Sequence, residues 1–220
     1  IKELNLLDYD IYHFEWGLDF YRNCCFVERL KELNKKIICT YHGQDMRTRG
    51  VIKKIDSLSD LNLSSELDLL YKHPKLNYMF LPILVPPELS LRATKKNIKI
   101  CHSPTDRHYK GSNKIIEVCR KIEKENLHVE FVLIENMSHN EVMQIKKTCD
   151  ILIDQIGDSG GWGYGMNSVE SMALGLCCMT QMNTDCNSFF KEHPFININK
   201  ENLEEKITNL ISNPVVIDDY

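Results

Sequence analysis

The stretch Ile151–Met179, reading ILIDQIGDSGGWGYGMNSVESMALGLCCM, restricts the possible folds more than any other part of this chain. A short apolar run ends in Asp154 and Gln155, as a strand buried on both faces of a parallel sheet does. Gly157, Gly160, Gly161, Gly163 and Gly165 follow. A helix is expected from Asn167 or Ser168 to Gly175, and a second apolar strand over Leu176–Met179. Strand, glycine loop and helix start are the parts of an anion grip. Glycine lets backbone come close to a ligand, and the first N–H groups of a helix have no partner within it. The expected ligand carries a phosphate.

The same alternation continues on both sides. Ile98–Cys101 reads as a strand, followed by the loop HSPTDRHYKGS and a helix over Ser112–Glu125 with Ile115, Cys119 and Ile122 on one face. His128–Ile134 is a strand. Ser138-x-x-Glu141 is a capping box opening a helix that turns Val142, Ile145 and Cys149 inward. Beyond the central stretch come a strand at Phe195–Ile198 and a helix carrying Leu203, Ile207, Leu210 and Ile211.

Upstream, residues 9–14 read as a strand. Leu18–Leu33 reads as a helix with Phe26, Leu30 and Leu33 on one face, and Lys36–Tyr41 as a strand running into His42. Residues 44–75 are polar and weakly periodic, a loop with one or two helices such as Ser64–Tyr71; Asn77–Leu81 is a further strand. Pro82, Pro86 and Pro87 hold the next segment extended. Repeated β-α-β order implies right-handed crossovers and parallel sheets. The expected class is therefore α/β with two doubly wound, Rossmann-like domains: an incomplete first domain at 1–86, a linker at 87–97 and a second domain at 98–220.

Length and charge narrow the function. The 220 residues suffice for a sizeable core, and a net charge of −4 argues against a general nucleic-acid binder. No run approaches the roughly eighteen apolar residues of a membrane span. The nine cysteines include no C-x-x-C pair and no His/Cys cluster at zinc spacing. They fit reduced core residues of a protein in a reducing, cytosolic setting, with Cys25, Cys119 and Cys149 on apolar helix faces.

Several residues have the chemistry to serve a phosphate site. Arg107 and Lys110, beside Gly111 in the loop after a strand, can clamp a diphosphate or be solvated surface cations. Glu170, in the expected first turn of the helix after the glycine loop, can accept both hydrogen bonds of a ribose diol, or close an Asn167-x-x-Glu170 capping box. His42 stands at a strand end, where open α/β sheets bind ligands, and is a polar group for a reacting centre or a structural hydrogen-bonding residue. His139 is a lip residue for a base pocket or a helix start. Trp162 and Tyr164 can stack on a sugar or base, or fill space beside the loop. No G-x-G-x-x-G follows the first strand of either domain, and neither G-x-x-x-x-G-K-[ST] nor G-x-S-x-G occurs, which weighs against dehydrogenases, P-loop NTPases and α/β-hydrolases.

Three segments together resemble the retaining "group 1", or family-4, glycosyltransferases of the GT-B fold. HSPTDRHYKGSNKIIE is similar to that family's loop with Arg and Lys-Gly before the first helix of the donor domain. WGYGMNSVESMALGLCCM is similar to its glycine loop and E-A-M-A-x-G helix, and CTYHGQD to its T-x-H-G segment in the acceptor domain. The resemblance implies a nucleotide diphosphate sugar as donor, a carbohydrate or lipid-linked acceptor, and no bound metal or other cofactor. It implies that Arg107 and Lys110 bind the diphosphate, Glu170 the ribose and His42 the reacting end of the donor. Loop amides of Gly163, Tyr164, Gly165, Met166, Asn167 and Ser168 would contact sugar and phosphate, with His139 at the base. Family members act in the cytoplasm, many of them docked on the inner face of a membrane. One position departs: the family has two glutamates eight positions apart, and Trp162 stands where the first is expected. That departure motivates one alternative, a non-catalytic nucleotide-sugar binder; a GT-B sugar-nucleotide epimerase is a second. An unrelated doubly wound protein is a third. The resemblance also implies that the chain is an internal fragment of a longer enzyme.

Overall fold

The computed structural model describes residues 5–85 and 97–219, and the chain falls into two compact units divided between Phe80 and Leu81. Apart from Asn97, the linker expected at 87–97 lies outside the described residues.

The first unit is built from β1 (Ile11–Glu15), α1 (Cys25–Glu32), β2 (Lys36–Tyr41), α2 (Gly43–Thr48), α3 (Lys53–Leu58), β3 (Leu61–Ser64), α4 (Leu67–Leu70) and β4 (Leu76–Tyr78). Its strands pair in parallel in the order β1-β2-β3-β4. Phe26, Val27 and Leu30 of α1 pack on Ile37, Cys39 and Tyr41 of β2, all buried. Phe26, Val27, Leu30 and Ile37 each contribute roughly 1.5–3 kcal/mol by leaving water.

Two expectations change here. α1 starts at Cys25 rather than Leu18, because Trp16, Gly17 and Cys24 adopt φ of 61°, 57° and 61°, left-handed values that a right-handed helix excludes. The Asp19 carboxyl fixes this turn by accepting from the Tyr21 and Val27 N–H groups. β3 lies inside the stretch expected to be loop and helix. Its inward residues are Asn62 and Ser64, not apolar ones, so no hydrophobic alternation marks it; Asn62 donates from Nδ2 to Asp56. Ser64 consequently ends a strand, and the helix after it covers only Leu67–Leu70.

The second unit continues with β5 (Ile98–His102), α5 (Arg107–Lys110), α6 (Ser112–Glu125), β6 (Val129–Leu133), α7 (His139–Lys146), β7 (Ile151–Ile153), α8 (Met166–Ala173), β8 (Cys177–Thr180), α9 (Thr184–Phe189), β9 (Ile196–Asn197) and α10 (Leu203–Ser212). All five strands are parallel, in the order β6-β5-β7-β8-β9. β6 lies on one side of β5 and β7 on the other, so the winding reverses at β5. The crevice beyond the carboxyl ends of strands at such a reversal is where doubly wound sheets bind ligands. Beneath it, Ile100, Phe131, Ile151, Ile153, Cys177 and Met179 of the sheet meet Ile115, Cys119 and Ile122 of α6 and Leu203 and Ile207 of α10.

Eight cysteines are buried and all nine are free thiols. Cys25 is the exception to the expected core role: it is exposed, and its neighbour Cys24 is buried instead. In α7, Val142 and Ile145 are only half-buried, whereas Lys146 is fully buried. Among the described residues no helix is long and apolar enough to cross a membrane.

Candidate functional site

A cavity of about 760 Å3 opens in the second unit at the winding reversal. Its wall is built from Ser103 to Thr105 and Arg107 after β5, Ile134 to Met137 after β6, one face of α7 (His139, Val142, Lys146), and Met166, Asn167 and Glu170 of α8. Of the residues singled out from sequence, the structure brings Arg107, His139, Met166, Asn167 and Glu170 into this one wall.

Arg107 does not sit in a loop. Asp106 accepts hydrogen bonds from the His108 and Tyr109 N–H groups and caps a helical turn that begins at Arg107. The guanidinium grips Glu135 with two parallel bonds, Nε to Oε1 at 2.7 Å and Nη2 to Oε2 at 2.5 Å. The hydrogen bonds and charge of Arg107 hold the Glu135 carboxyl below its ordinary value.

Lys110 is not part of the cavity wall. Its ammonium points to the end of β7, 2.7 Å from Asp154 Oδ1 and 2.9 Å from Gln155 Oε1. Asp154 is wholly buried and also accepts from Asn167 Nδ2 at 2.9 Å and from the Ser168 hydroxyl. Burial pushes this carboxyl up, but the Lys110 charge and these hydrogen bonds more than offset it, leaving it at about 2. Asn167 in turn accepts from the Ser103 hydroxyl at 2.7 Å. A polar chain, Lys110–Asp154–Asn167–Ser103, therefore ties α5, the end of β7, the start of α8 and the loop after β5 together. Asp154 was legible only as the polar end of an apolar strand; its role as the hub appears once α5 and α8 converge on it.

Beside this chain, fully buried His102 donates from Nδ1 to the Ile153 carbonyl, which leaves Nε2 to accept from the Ser112 hydroxyl, both at 2.7 Å. Burial pushes its imidazole below the ordinary value. Gly111 has to be glycine. Its φ is +64°, and a Cβ there would lie 2.3 Å from the Ile156 carbonyl oxygen.

Glu170 also departs from expectation. α8 begins at Met166 with Gly165 as its N-cap, so Glu170 lies in the second turn and no Asn167–Glu170 capping box forms. Its carboxyl instead meets α7: Oε1 lies 2.8 Å from His139 Nε2 and Oε2 lies 3.2 Å from Lys146 Nζ. His139 is exposed and Lys146 is 1% exposed. Lys146 was not singled out from sequence, although it stands seven residues after His139 and so falls on the same helix face. No side chain caps the N-terminus of α8, whose first two residues line the cavity.

Other glycine-loop residues face inward. The Gly163 carbonyl accepts from Thr180 Oγ1 at 2.8 Å and Gln155 Nε2 at 3.0 Å, at a φ of +79°. Tyr164 stacks on Phe195 with ring centres 4.9 Å apart, so it fills space beside the loop. Ser168 is buried on Asp154. Trp162 is half-buried and is not part of the cavity wall.

His42 belongs to the first unit. It is the N-cap of α2 at the end of β2, and its Nε2 lies 2.6 Å from Glu15 Oε2. With Trp16, Leu18, Gln44, Asp45, Thr48 and Arg49 it lines a cavity of about 410 Å3 at the carboxyl ends of β1 and β2.

No protein-family model matches the chain, and no curated protein matches it in sequence. Solved structures do share its architecture. The UDP-forming α,α-trehalose-phosphate synthase of Burkholderia vietnamiensis superposes with a TM-score of 0.60 at 9% identity, over 94% of this chain and 67% of that one. TarM gives 0.58 at 13% identity, over 99% of this chain and 51% of that one. A Listeria monocytogenes protein assigned as a UDP-N-acetylglucosamine 2-epimerase gives 0.57 at 13% identity, over 99% and 70%. The fold is of the GT-B type. At these identities the likeness is one of fold, and its neighbours include both glycosyltransferases and sugar-nucleotide epimerases.

Proposed function

We propose that this chain is a glycosyltransferase that moves a sugar from a nucleotide diphosphate sugar to a carbohydrate or lipid-linked acceptor, with retention and without a metal ion. The observation that carries the reading is the wall of the second-unit cavity. It joins an arginine, a helix N-terminus without a side-chain cap and a carboxyl held between two basic side chains, at the winding reversal of a doubly wound sheet.

The residues divide the work by chemistry. Nη1 of Arg107, the guanidinium nitrogen that Glu135 does not engage, and the first amides of α8 would hold the diphosphate and neutralise charge building on it as the sugar leaves. The Glu170 oxygens would accept from the ribose hydroxyls. Lys110 would act through Asp154 and Asn167, which set the start of α8, because a direct phosphate contact requires its ammonium to leave a buried carboxylate. Within the first unit, His42 with its Glu15-paired ring would be a polar group of the cavity at the ends of β1 and β2.

The test combines calorimetry with nucleoside diphosphates and a screen of acceptors for nucleoside diphosphate release. Binding, release in the presence of an acceptor, and weaker binding by Glu170→Gln are expected. A chain that binds no nucleoside diphosphate removes the reading. Binding without release, whatever the acceptor, favours the non-catalytic alternative that Trp162 motivates, and an epimerised sugar formed with no acceptor present favours the epimerase that shares this fold.

A further inference from the structure

We infer that Lys146 is a positioning residue that fixes the Glu170 carboxyl for recognition of a ribose 2'-hydroxyl, an inference that rests on the ribose role proposed above. Three observations lead there. Lys146 is 1% exposed yet belongs to the cavity wall, with Nζ 3.2 Å from Glu170 Oε2 and 3.5 Å from the Asn167 carbonyl. A lysine withdrawn this far from water is costly unless a carboxylate compensates it, and Glu170 is the carboxyl it touches. The two ends of α7 divide that carboxyl between them: His139 takes Oε1 from the solvent side and Lys146 takes Oε2 from beneath. The two stand seven positions apart on the helix, so one face of α7 sets both oxygens and hence the plane of the group.

The two contacts are unequal. His139 is 68% exposed, and a ligand entering the cavity can take its place; Lys146 is enclosed and stays. Each carboxyl oxygen has a second lone pair, so Oε2 can hold Lys146 and accept from a sugar hydroxyl at once. Without the ammonium, Glu170 regains rotamer freedom and the geometry of the acceptor pair is lost, although the carboxyl is still present.

Calorimetry on the full chain with UDP, ADP and GDP identifies the preferred nucleotide, and its 2'-deoxy counterpart then measures the contribution of the hydroxyl. Wild type is expected to prefer the ribonucleotide by about tenfold or more. Lys146→Met, which keeps the buried stem, is expected to reduce that ratio to about threefold or less while leaving the deoxynucleotide affinity within about twofold. Glu170→Gln should lower the ratio in the same way, and the double variant should lose nothing more. Lys146→Gln carries the same expectation should Lys146→Met not fold. If wild type binds no nucleotide, or does not prefer the ribonucleotide, the ribose reading of Glu170 fails and the inference falls with it. If wild type discriminates and the folded Lys146 variants keep its ratio, the inference alone is overturned.

Discussion

Replacing Lys110 by Met should reverse the sign with which Asp154 makes the second unit depend on pH. In the wild type, Asp154 is fully enclosed and titrates at about 2 instead of 3.8. That difference is worth roughly 2 kcal/mol of stability at neutral pH. Because the folded value lies below the unfolded one, the contribution is whole above about pH 5 and is lost as the pH falls through 3.8 toward 2. Lys110→Met removes the charge 2.7 Å away and leaves Ser168 and Asn167 as the remaining neutral donors. Burial then dominates, the carboxyl rises above its ordinary value, and stability now falls as the pH rises through the new value. Breaking one side of a buried pair costs about 3–5 kcal/mol, and that cost should be present at pH 8. At pH 4.5 it should shrink by about 1.4 kcal/mol for each unit by which the raised value exceeds 4.5, because the unfolded carboxyl is already mostly ionised there. Urea unfolding followed by Trp162 fluorescence in a Trp16→Phe background reports on the second unit alone, since the chain's two tryptophans fall one in each unit. An equal stability difference between wild type and the Lys110→Met variant at both pH values would refute the assignment of Asp154 as an ionised hub.

The remaining expectations concern separate parts of the molecule. Arg107→Ala should lower nucleoside diphosphate release by about tenfold or more without shifting the unfolding midpoint, because its side chain is half exposed; unchanged turnover would place the leaving group elsewhere. Gly111→Ala forces a Cβ to 2.3 Å from the Ile156 oxygen at a φ of +64°, and should cost more than about 2 kcal/mol in urea unfolding. Titration with a thiol reagent should find Cys25 reacting in the folded protein and all nine cysteines after unfolding; prompt reaction of several thiols in the native state would contradict the buried placement of the others.

The periodicity of the second unit was legible because its strands are apolar and its helices amphipathic. There, residues 112–125 and the Ser138 cap were read directly from pattern and capping chemistry, as was the strand 36–41 in the first unit. The helix of Arg107–Lys110 escaped because one turn has no period, although Asp106 was its cap. In the first unit β3 was hidden because its inward positions are polar, and α1 was overextended because nothing in the composition of residues 16–24 announces left-handed turns at Trp16 and Cys24.

The sequence by itself determined the class of fold and the general place of the candidate site, since strand, glycine loop and helix order follow from local patterns of 2 and 3.6 residues. Which charges belong to that site was decided by tertiary structure. Lys110 turned to Asp154 and away from the cavity wall, and Lys146, written in the sequence as one more polar residue of a capped helix, arrived in the wall beneath Glu170. The physical reason is common to both. A buried ammonium goes where a carboxylate can compensate its lost hydration. Those partners, 44 positions from Lys110 and 24 from Lys146, come within reach only when the sheet is assembled.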